Sequence, residues 1–285
     1  MASSSNVGPG TLTRLASGAI SADRPDTAGL SALDNAFSSL LVVTQLTVQA
    51  TNVWQPQHGL ILCSSAVAVA EDYFRSILTD VVGLCQLCAN RVGVLETRME
   101  YVFSGSVADA VRGLLDRESF SSRDTIKEWA KKIAGMELSG NRSLNVALAE
   151  FERVCHVRHC AMHAGGYVST RNAGSLGVPT GSWISFGSPA AIHEIISVVA
   201  ATLRSFNQSL FEVLLGRWID EGILSGTWDG DRDTFSSLWS AFCSKRDISS
   251  SRFSGGPALK SNAYLAYRSV LPAVAGRART RTAAS

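Results

Sequence analysis

Residues 141–166 read Asn141-Arg-Ser-Leu144-Asn-Val-Ala-Leu148-Ala-Glu-Phe151-Glu-Arg153-Val154-Cys155-His156-Val-Arg158-His159-Cys160-Ala-Met162-His163-Ala-Gly165-Gly166. Leu144, Leu148, Phe151, Val154, Cys155, Arg158 and Met162 recur at three- and four-residue steps, the period of one helix face. The spacing predicts a helix over Asn141 to His163. Gly165-Gly166 stops it, because glycine takes the turn past a helix end without a Cβ penalty.

The same period recurs on both sides of this segment. Leu33, Phe37, Leu40, Leu41 and Val48 predict a first helix over Ser31 to Thr51, broken by Trp54, Pro56 and Gly59. Leu62, Ala66, Val69, Tyr73, Ile77, Val81 and Leu84 predict one long helix from Leu60 to about Arg91. Ser106 is the expected N-cap of a shorter helix to Leu115, and Ser122 precedes another that Gly135 ends. Tyr167 to Gly187 is rich in Gly, Ser and Thr and reads as a loop or small hairpin. Pro189 opens a further helix to Trp218, with Ile192, Ile195, Val199, Leu203, Phe206, Leu210 and Leu214 on its apolar side. Thr234 to Lys245 and Ala263 to Val274 are expected to add short helices. The class is all-α: a helical bundle with one small irregular segment. Residues 1–29 are expected to be a flexible N-terminal arm, 30–218 the principal domain, and 219–285 accessory helices ending in a disordered basic tail.

Composition bounds the function. The chain has 285 residues, 46% of them hydrophobic and 18% charged, enough to bury a core and too apolar for wholesale disorder. No run approaches the roughly 20 apolar residues of a membrane-spanning helix. Met1 to Gly10 lacks the basic and apolar regions of a secretory signal, so a soluble, cytoplasmic protein with reduced thiols is expected. There are 26 basic and 24 acidic residues. Residues 251–285 hold six of the basic ones and no acidic one, which leaves 20 minus 24, or −4, for the first 250. The body is therefore no general polyanion binder, and recognition of nucleic acid would have to be local.

The densest polar chemistry falls in the opening segment. Three of the five histidines, His156, His159 and His163, lie within eight positions. His159 and His163 stack one turn apart on the helix, and Arg158 can wrap toward them. An always-charged fork beside groups that titrate near neutral pH suits phosphate chemistry. The arginine can hold a phosphodiester by two hydrogen bonds. The histidine can move a proton to or from the reacting oxygens. On RNA the 2′-OH is a nucleophile already in place, so no metal or other cofactor is needed. Read structurally instead, the same residues would only cap helix carbonyls and favour the dipole.

Arg158-His159-Cys-Ala-Met-His163 resembles the Arg-polar-x-x-x-His element of the HEPN superfamily of α-helical domains, in particular its RiboL-PSP-like branch. The setting is similar too: an aliphatic run into Glu71-Asp72-Tyr73-Phe74, a short helix around Trp129, the motif helix, a glycine stop and a long closing helix. The resemblance covers about Ser31 to Trp218, and residues 219–285 have no counterpart in it. It implies a homodimer whose two motifs face one cleft, and a metal-independent endoribonuclease with toxin or anti-phage roles, restrained or activated by an antitoxin or other defence-system protein. Arg158 would hold the scissile phosphate and His163 would act as general acid or base. His159 would orient the pair, and Glu71 would secure Arg158 through a charge-assisted bond. Arg153 and Arg171 would add local contacts to single-stranded or looped RNA. A catalytically silent HEPN dimerisation or nucleotide-binding module is the alternative.

Two other chemistries fit the sequence less well. A zinc site would draw on Cys85 and Cys88 with His156, His159, Cys160 or His163. Three-residue cysteine spacing on an apolar helix is, however, simply one face, and no Glu follows His159 as a zinc protease requires. A cysteine nucleophile paired with its neighbouring histidine fails because adjacent helix positions diverge by about 100°. Trp129, Trp218 and Trp239 sit at helical spacing from other apolar residues and are expected in the core.

Overall fold

A computed structural model describes residues 29–95, 106–138, 140–245 and 262–284. The expected arm, apart from Gly29, and the Ser/Gly-rich stretch 247–257 lie outside the described residues. Among the described residues the fold is all-α, with ten α-helices and no β-strand. They are α1 (Ala32–Gln49), α2 (Pro56–Leu84), α3 (Gln86–Val92), α4 (Val107–Leu115), α5 (Arg123–Ala134), α6 (Arg142–Ala164), α7 (Thr170–Leu176), α8 (Ala190–Asp220), α9 (Trp228–Phe242) and α10 (Ala263–Ala284).

Local chemistry sets most of the boundaries. The Ser31, Ser106 and Ser122 hydroxyls accept from the backbone N–H of Asp34, Asp109 and Asp124, and the Asn141 side chain accepts from Leu144. Gly135 and Gly165 end α5 and α6 in the left-handed conformation. Helix α2 forms the centre and packs against α1, α4, α5, α6 and α8. Tyr73, Phe74, Phe120, Phe151 and Phe206 meet in its middle as a fully buried aromatic cluster. Trp129 and Trp218 lie in the core, as expected, and Trp239 packs partly buried against it.

Four features depart from the sequence reading. The long helix breaks at Cys85, whose backbone turns extended (φ −126°, ψ 107°), so that α3 packs on α5. The Cys85 sulfur accepts from Trp218 Nε1 at 3.3 Å, a contact across 133 positions that no local pattern encodes. The loop after α6 contains a short helix, α7, and a single antiparallel bridge between Tyr167 and Trp183. The final helix continues through the expected disordered tail to Ala284. Finally, the C-terminal helices share the main core. Phe235, Leu238, Phe242, Tyr267 and Val274 belong to the same apolar cluster as α2 and α8. Buried Asp34 on α1 accepts from Ser244 Oγ at 2.9 Å and from the Lys245 N–H at 3.1 Å.

Candidate functional site

Helix α6 buries Leu144, Leu148, Phe151, Val154 and Cys155 against α2 and α8, but its last turn runs past the core. Met162, expected on the apolar face, is 59% exposed, and His163 is exposed beside it. The polar groups of this turn are therefore presented on rigid helix at the surface.

The structure gathers four of the six sequence-predicted residues here. The His159 and His163 rings lie 4.7 Å apart, tilted by 44°. The His159 pKa is lowered from its ordinary value, first by burial and then by the positive charges of His163, Arg171, Arg158 and His156. One imidazole thus lies in the field of all the other cations of the motif, including Arg171 from α7. Arg158, His163 and Arg171 form no ion pair with any carboxylate among the described residues. Half-buried Arg158 makes no hydrogen bond there either. A guanidinium that pairs with no carboxylate among the described residues and acts on the His159 imidazole has the chemistry to take up an external anion.

Two residues fall differently. Glu71 does not secure Arg158. Its carboxylate lies 3.9 Å from Arg75, one turn along the same helix, and accepts weakly from Ser119 Oγ at 3.5 Å. Arg75 is itself anchored, donating to the carbonyls of Leu115 and Glu118 and resting over Phe120, so it is the nearer and better-placed cation. Glu71 and Arg158 nevertheless both act on the Cys155 thiol, Glu71 raising its pKa and Arg158 lowering it. The acidic position of α2 therefore borders the motif without binding it. Arg153 pairs with Glu150 at 3.1 Å on an exposed face, an interaction weak enough to be exchanged for another anion.

Sequence reading missed the brace behind the motif. His156 Nδ1 lies 2.9 Å from Asn172 Oδ1, and Asn172, 2% exposed, also donates to Ser169 Oγ at 3.3 Å. This links α6 to α7 and so positions Arg171. The only sequence signal was a polar residue in an otherwise unpatterned loop.

Thiol chemistry fits the site poorly. Burial pushes the Cys63 thiol up to about 12, with Arg158 only partly opposing it, and burial likewise raises Cys155. Cys85 and Cys88 lie fully inside the core. There a hydrogen bond from Cys88 lowers the Cys85 thiol to about 5, against the cost of burial and aided by Trp218. Among the described residues no group of three or more His, Cys, Asp and Glu side chains converges to hold a metal ion. Among them, too, no helix is long and apolar enough to cross a membrane. No protein-family model, curated protein or solved structure matches the chain. The site is read from its own chemistry.

Proposed function

We propose that this chain is a HEPN-type, metal-independent endoribonuclease that acts as a cytoplasmic homodimer, in a toxin or anti-phage role held in check by a partner protein. The observation that carries the reading is the exposed end of α6. There Arg158, without a hydrogen-bonding partner among the described residues, lies with Arg171 near His159, whose ring is tilted against that of His163, and among those residues no carboxylate pairs with Arg158, His163 or Arg171.

In this reading Arg158 binds the non-bridging oxygens of the scissile phosphate and stabilises the charge that builds on them. One imidazole removes the proton from the ribose 2′-OH, and the 2′-oxygen attacks phosphorus. The bond to the 5′-oxygen breaks as a second imidazole donates a proton to that oxygen. The products are a 2′,3′-cyclic phosphate and a 5′-OH end, with atoms and charges balanced and no water consumed. Neutral His159, its protonation opposed by burial and by nearby cations, suits the accepting role, and exposed His163 suits the donating one. The second copy in a dimer would bring another set of the same groups to the substrate.

The test is incubation of the full chain with single-stranded RNA in excess EDTA, beside Arg158→Ala and His163→Ala. Cleavage leaving cyclic phosphate ends, reduced at least 10²-fold by either change, is expected. Cleavage that disappears in EDTA overturns the metal-independent mechanism. RNA binding without cleavage under any condition moves the assignment to a catalytically silent module.

A further inference from the structure

Immediately beyond the cationic helix end, two aromatic side chains stand in solvent. Trp183 is 68% exposed and Tyr167 40% exposed, whereas Trp129 and Trp218 are buried. An exposed tryptophan is costly to leave in water and is rigid enough to act as a flat surface.

The backbone holds these rings still. The Gly166 N–H donates to Cys160 O at 2.9 Å and the Tyr167 N–H to Ala164 O at 3.0 Å, folding the chain back onto the end of α6. Three more hydrogen bonds, Val168 N to Ser182 O, Ile184 N to Gly166 O and Gly181 N to Val168 O, clamp the two arms of the loop at 2.8–2.9 Å. Tyr167 and Trp183 face each other across the single bridge, with their rings edge-to-face at 5.8 Å. Gly166 makes the close approach possible: at φ +102° it has no Cβ, and one placed there would lie 2.9 Å from Ile184 O and 3.7 Å from the Trp183 ring. That same glycine is three residues past His163, and its N–H bonds back to Cys160 O, so the aromatic pair follows directly on the end of α6.

We propose that Trp183 and Tyr167 form a stacking platform for an unpaired base of a single-stranded nucleic acid whose phosphate lies on Arg158, Arg171 and the paired histidines. The occupant follows from the pairing of chemistries. A cationic helix end followed at once by an exposed aromatic pair matches a chain alternating phosphates with flat π-systems. Duplex is excluded from this mode because its bases are already stacked. The proposal rests on the nuclease reading and deepens it by adding a base-stacking surface beside the phosphate site, and it shares with that reading only the assumption of a nucleic-acid ligand.

The experiment measures binding of a fluorescein-labelled 12-nucleotide DNA oligonucleotide to the full chain by anisotropy at low salt. DNA lacks the 2′-OH, so binding is read without cleavage and stays informative even if the nuclease assay fails. Trp183→Ala is expected to weaken single-strand binding by about 5- to 100-fold. Trp183→Phe should retain it within about threefold, and duplex of equal length should bind no differently to the wild type and the alanine variant. Circular dichroism establishes that the variants are folded, as exposure of Trp183 predicts. Equal single-strand affinity of wild type and Trp183→Ala overturns the platform. So does an equal loss for duplex, or a change confined to sedimentation behaviour, which would assign the aromatic pair to a contact between copies.

Discussion

Replacement of Asp231 by alanine tests whether the C-terminal helices belong to the core. The Asp231 carboxylate, 2% exposed at the start of α9, accepts from the Ser225 N–H at 2.7 Å, from the Gly226 N–H at 3.0 Å and from the buried Tyr267 hydroxyl of α10. It therefore closes the turn before α9 and fastens α10 to it. Hydrogen bonds to a charged group contribute roughly 1.5–3 kcal/mol each, so three set a ceiling of about 4.5–9 kcal/mol. Water entering the vacated volume re-pairs some of the stranded donors, and the expected loss is about 3–5 kcal/mol. For a chain of this size that corresponds to a fall in Tm of roughly 6–20 °C. The pH dependence is a second readout. Burial raises the Asp231 pKa, but hydrogen bonds from Tyr267 and Ser225 outweigh it and hold the carboxyl below its usual range. Its contribution is then complete above the ordinary carboxylate value of about 3.9 and is lost as the pH falls through the lower native value. The gap between wild type and Asp231→Ala should narrow below about pH 4. Thermal unfolding followed by circular dichroism at pH 7 and pH 3 measures both. Exposed Asp233, paired with its neighbour Arg232, serves as a control whose alanine variant keeps the wild-type midpoint. A loss below about 1 kcal/mol for Asp231→Ala, or one independent of pH, would refute the reasoning.

Two further outcomes follow from the site. Gly166→Ala should destabilise by roughly 1–3 kcal/mol, because the new Cβ meets Ile184 O at 2.9 Å on a positive-φ backbone. Gly165→Ala, also at positive φ but with open space around it, should cost only about 1 kcal/mol, and urea midpoints in the reverse order would contradict this geometry. His159 resists protonation in the folded state while the unfolded chain binds the proton near pH 6.5, so stability should fall as the pH drops below about 6.5. His159→Asn should flatten that slope in Tm measured between pH 5 and 8, and parallel curves for the two proteins would show that His159 is not the group responsible.

The helix ends set by a cap or a terminal glycine were the legible ones, because caps and periods are local, whereas the start of α2 at Pro56, read as a breaker, was not. Ser31, Ser106, Ser122 and Asn141 start helices where their side chains reach a backbone N–H two or three residues on, and Gly135 and Gly165 end them. The four-residue step from His159 to His163 likewise placed two imidazoles on one face, which the 4.7 Å ring separation reproduces. Everything that depended on distant parts of the chain was decided by packing. Cys85 breaks a helix beside Trp218, 133 positions away, and Glu71 takes Arg75 in place of Arg158 because Arg75 is anchored by the turn after α4. Beyond Gly222 the apolar period weakens and the segment read as accessory, yet Tyr267 and Phe235 are fully buried in the main core. The helical spacing around Trp129 already pointed to the core, whereas nothing in the Gly/Ser/Thr-rich loop around Trp183 told whether that ring is covered. One faces the centre of the bundle and the other faces water, because solvent exposure is a property of which surfaces meet, and only the folded chain determines that.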